Sequence, residues 1–66
     1  MKILVYGIKD NMHLWTYEKF KELHNGQVVD FKTNGNLIEY IIYDIKSQSI
    51  NIDFLKENNL SYESEI

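Results

Sequence analysis

Two histidines, His13 and His24, stand eleven residues apart, with no cysteine in the chain and no HExxH-type spacing. A zinc site takes three or four such ligands in a fixed pattern, which this pair does not supply. His24 reads instead as a residue at a helix C-terminus, where an imidazole meets the negative end of the helix dipole. Ser47, Ser49, Ser61 and Ser64 lie in polar connections or near the chain end, and no Gly-x-Ser-x-Gly elbow frames any of them, so a nucleophile lacks its setting. Gly7, Gly26 and Gly35 are too dispersed for a phosphate-cradling loop. What remains is a carboxylate pair. Asp30 and Glu39 fall opposite one another in the hairpin register described below and would raise one another's proton affinity. Acid–base work on a substrate also needs a cleft, for which a domain of this length has little volume. The pair is better explained as an electrostatic mismatch relieved by Lys32 or by a basic residue of a partner. These residues predict a non-enzymatic protein without catalytic residue, cofactor or metal.

The side chains must be held by a thin core. The chain has 66 residues, a size that buries only about 60% of the surface the unfolded chain exposes. No disulfide can compensate, so stability has to come from packing or from self-association. Net charge is −3, from ten carboxylates and seven lysines. Arginine, the residue best suited to bidentate phosphate and guanine recognition, is absent, and the lysines form no run, which predicts no direct nucleic-acid binding. There is no long apolar stretch and no leader-like segment, which predicts a cytoplasmic protein rather than a membrane one. Ala, Pro and Cys are missing along with Arg, while Ile, Asn, Lys, Tyr and Phe make up 31 of 66 residues. The missing residues have mostly GC-rich codons and the abundant ones AT-rich codons. That balance suggests a low-GC bacterium, its phage or a mobile element.

The elements follow from periodicity and turn chemistry. Lys2 to Ile8 is apolar on both alternating sets, with Ile3, Val5 and Gly7 on one face and Leu4, Tyr6 and Ile8 on the other, so this strand asks for cover on both sides. A first helix begins after Thr16 as N-cap, with Trp15 and Phe20 at the spacing of a hydrophobic staple and Tyr17, Phe20, Leu23 and His24 on one stripe. Met12 to Leu14 reads equally as a loop or as an early turn of that helix. Asn25-Gly26 ends the helix, with Gly26 in the left-handed position. Val28 to Thr33 and Leu37 to Ile45 form a hairpin around Asn34-Gly35, a type I′ signal. A two-residue loop there sets Phe31 opposite Ile38, Val29 opposite Tyr40 and Asp30 opposite Glu39. One face then carries Val29, Phe31, Ile38, Tyr40 and Ile42 as core, with Trp15 and Phe20 from the helix. The other carries Asp30, Glu39, Ile41 and Tyr43. Asn51 caps a second helix, with Ile50 and Leu55 as its staple, and Asn58-Asn59 closes it. Ile50, Ile52 and Phe54 also alternate as a strand would.

The predicted fold is α+β, a single small domain over residues 1–60. Its order is βαββα, with a three-stranded mixed sheet in spatial order 1-3-2 and, as the alternative, a fourth strand at 49–55. Residues 61–66 read as a flexible tail. An acidic sheet face bearing aromatics suits protein recognition, because aromatic residues anchor binding hot spots. Asp30, Glu39, Ile41 and Tyr43 are therefore the candidate partner-binding residues. The expected function is that of a small phage or mobile-element protein that binds a basic surface of a host protein stoichiometrically and inhibits or modulates it by occlusion. The alternative is a self-associating structural domain or accessory subunit, with the same face buried in a homodimer.

Overall fold

A computed structural model describes residues 1–9, 11–46 and 49–64. The chain runs β1 (Lys2–Gly7), α1 (Leu14–Leu23), β2 (Gly26–Asn34), β3 (Leu37–Ile45), α2 (Ile52–Glu57) and β4 (Leu60–Ser64). The α+β class holds, and β3 lies between β1 and β2 as its length and two-sided apolarity require. The sheet has four strands in the order β2-β3-β1-β4, and every neighbouring pair is antiparallel, so it is not mixed. The fourth strand is not at 49–55, where Asn51 caps α2 by accepting the Phe54 N–H at 3.0 Å. Asn59, at φ 55, ends the segment in the left-handed region, and Leu60 enters β4. Residues 61–64 therefore pair with β1 and are not a tail; residues 65 and 66 lie outside the described residues.

Both helices lie on one side of the sheet. Between them and the strands are Ile3, Val5, Met12, Phe20, Ile38, Ile41, Tyr43, Ile45, Phe54, Leu55 and Leu60. Helix α1 starts three residues earlier than expected, with His13 rather than Thr16 as N-cap and no side-chain cap bond. Thr16, Phe20 and His24, four apart, consequently face inward, and Trp15 turns outward at 65% exposure instead of joining the core. Met12 forms a two-bond bridge with Ile38, its N–H donating to Ile38 O at 2.6 Å and its carbonyl accepting the Ile38 N–H at 2.8 Å. That bridge buries Met12 against the sheet.

The hairpin differs from expectation in turn and register. Its loop is Gly35-Asn36, with only Gly35 at positive φ (64°), which is the glycine-first arrangement of a type II′ turn. Asn34 therefore faces Leu37. Two bulges follow. Glu39 has no partner between the Thr33–Ile38 and Lys32–Tyr40 pairs, and Val29 has none between Asp30–Ile42 and Val28–Tyr43. Each extra residue reverses the alternation of its own strand. Past Glu39, Ile41, Tyr43 and Ile45 point into the core, while Tyr40 and Ile42, expected there, point to the opposite face. Gly26 is not left-handed; it opens β2, where a Cβ would lie 2.0 Å from Asp44 O.

Candidate functional site

The two bulges divide the four residues singled out from the sequence. Ile41 and Tyr43 are core, at 0% and 2% exposure, and offer nothing to a partner. Asp30 is exposed on β2 opposite Ile42, not opposite Glu39. Glu39 sits in the β3 bulge, partly exposed, with Lys32 Nζ 3.5 Å from Oε2. This pair lies near solvent and adds little stability; the like-charge clash read from the sequence is absent because the bulged register moves Asp30 away from Glu39.

The side of the sheet away from the helices carries Leu4 and Tyr6 from β1 and Tyr40 and Ile42 from β3. The pairs Leu4–Ile42 and Tyr6–Tyr40 set them side by side. All four are partly exposed. They line a shallow, open concavity with Glu39 and Glu63 at its margins; Glu63 faces Leu4 across the β1–β4 ladder. Lys2 and Asp44 end this face as a cross-strand pair. The Met1 ammonium, 3.0 Å from Asp44 Oδ1, holds that carboxyl below the usual aspartate value, assisted by Lys2 and Lys46. The strip is thus aromatic and aliphatic at its centre and charged at its ends. Such a surface can desolvate against another protein. Its openness gives no enclosure for a small substrate.

The sequence had indicated half of this face, since Leu4, Tyr6 and Ile8 alternate with the core set of β1. Their partners on β3 were missed because no residue type marks a bulge. On the helix side, Tyr43 donates a hydrogen bond to His24 O. His24 Nε2 accepts the Asn51 N–H at 2.9 Å, which leaves Nδ1 to donate to Phe20 O at 2.8 Å. Buried and engaged at both nitrogens, His24 joins the end of α1 to the start of α2. Among the described residues no group of three or more His, Cys, Asp or Glu could hold a metal ion, and no helix is long and apolar enough to cross a membrane.

Compared with known proteins, the chain matches no family model, no curated protein and no solved structure.

Proposed function

We propose that this chain acts by stoichiometric binding to a host protein with a basic surface, inhibiting or modulating it by occlusion, and that the docking surface is the open face of the sheet. The observation that carries this reading is the strip of Leu4, Tyr6, Tyr40 and Ile42, left uncovered by both helices and flanked by Glu39 and Glu63. A strand apolar on both sides normally has cover on both, and here a partner would supply the second cover. The acidic balance favours a basic partner. The AT-biased composition favours a phage or mobile element of a low-GC bacterium as the source.

Capture from a low-GC bacterial lysate tests the reading. The baits are wild type, a Glu39→Lys, Tyr40→Ser face variant and a Lys56→Glu control on the far side of the molecule, each checked for folding by circular dichroism. The expected result is one protein held by wild type and control, lost by the face variant, and forming a one-to-one complex on sedimentation. Equal retention by the face variant would show that the open face is not the docking surface.

A further inference from the structure

Strand β2 is an edge. Among the described residues it pairs with β3 alone, and every residue from Val29 to Asn34 is exposed, Val29 at 47% and Phe31 at 55%. A nine-residue exposed edge carrying apolar side chains is a template for a further strand unless something blocks it. Asp30 is placed to do so: the Phe31 N–H donates to Asp30 Oδ1 at 2.8 Å, so the carboxylate occupies a donor that an incoming strand would need.

The charges on this edge select the strand that can displace it. Asp30 and Lys32 are the only charged residues of β2, they lie on either side of Phe31, and both face the open side of the sheet, opposite Ile42 and Tyr40. In an antiparallel pairing of β2 with itself, a two-fold axis through Asp30 or Lys32 sets like charges opposite one another. An axis at Val29 or between residues gives neither charge an opposite partner across the new ladder, and Lys32 keeps only Glu39 of its own copy. An axis through Phe31 sets each Asp30 opposite the second copy's Lys32, with the two Phe31 rings together on the helix side. There, Leu14, Tyr17 and Ile38 border the hollow next to Phe31. The other edge, β4, has no such register within Leu60–Ser64, because Glu63 is its sole charge.

We propose that two copies of this chain join along β2 in an isologous antiparallel pair centred on Phe31. In the pair, Asp30 releases the Phe31 amide to the ladder and takes the second copy's Lys32, and the two four-stranded sheets become one of eight strands. All helices stay on one side, so the open face remains free. This inference does not rest on the partner-binding reading.

Sedimentation from micromolar to millimolar concentration tests it, with wild type, D30K, K32D and the double variant D30K/K32D, each confirmed folded by circular dichroism. The wild type is expected to dimerise. Each single reversal turns both attractive pairs into like-charge pairs and is expected to weaken association by about tenfold or more, while the double variant restores opposite charges and returns to within about threefold of wild type. Should a single reversal fail to fold, Phe31→Ser at its exposed position replaces it and is expected to be monomeric. A wild type that stays monomeric throughout overturns the proposal, whether or not a foreign strand binds the same edge. So does a dimer indifferent to the single reversals.

Discussion

Tyr43 shows how much one side chain's direction decides. It lies edge-on to Phe20, ring centroids 5.2 Å apart, and its hydroxyl has a buried carbonyl as partner. Removing that hydroxyl leaves His24 O unpaired, so Tyr43→Phe is expected to cost about 1–2 kcal/mol by denaturant unfolding at neutral pH. Burial, and then the neighbouring Tyr17, pushes the Tyr43 phenol above its ordinary value of 10.0. With the folded value raised, the stability tied to the protonated phenol is whole below the unfolded value. It is lost as pH rises from there through the folded value. Melting curves above about pH 10 are therefore expected to fall more steeply for wild type than for Tyr43→Phe; parallel curves would show that the phenol is not linked to folding. From the sequence Tyr43 looked like a surface anchor, because its direction depends on a bulge four residues away that no residue type announces. His24 was read at a helix end, where it lies, but its bond to the start of α2 is a non-local contact with Asn51.

At the scale of elements, what local chemistry dictates was legible and what distant pairing dictates was not. Asn51 as a cap and Asn59 as a left-handed terminator follow from a few adjacent residues, whereas α1 stops at Leu23, short of the Asn25-Gly26 end read from the sequence. The hairpin was legible as a hairpin, but Asn34-Gly35 and Gly35-Asn36 are both valid two-residue loops, and the choice moves every cross-strand pair. Gly26 was rightly singled out for the wrong reason: the requirement is absence of a side chain where β2 passes Asp44, not backbone handedness. Gly26→Ala is accordingly expected to lower stability by about 2–3 kcal/mol, read from the urea midpoint. An alanine variant as stable as wild type would mean that the strand ends can separate freely.

For the whole molecule, the last strand is the part least visible in advance. Leu60–Ser64 is short and mostly polar, and its partner is at the other end of the chain, so neither periodicity nor turn chemistry identifies it. Yet Leu60 is buried, and among the described residues β4 is the strand that pairs with the edge of β1 away from β3. Burying a leucine contributes about 1.5–3 kcal/mol, a large share of the roughly 5 kcal/mol available to a small domain. A chain ending at Asn59 is expected to show no cooperative thermal transition by circular dichroism; a two-state melt would assign β4 a decorative role. The two bulges carry a further consequence, for the gene. A codon lost at Val29 or Glu39 removes a residue the ladder already skips, and the inside of the sheet stays inside. A codon lost in the regular stretches turns one half of a strand outward. The hairpin's freedom to change length is thus confined to two positions, one in each strand.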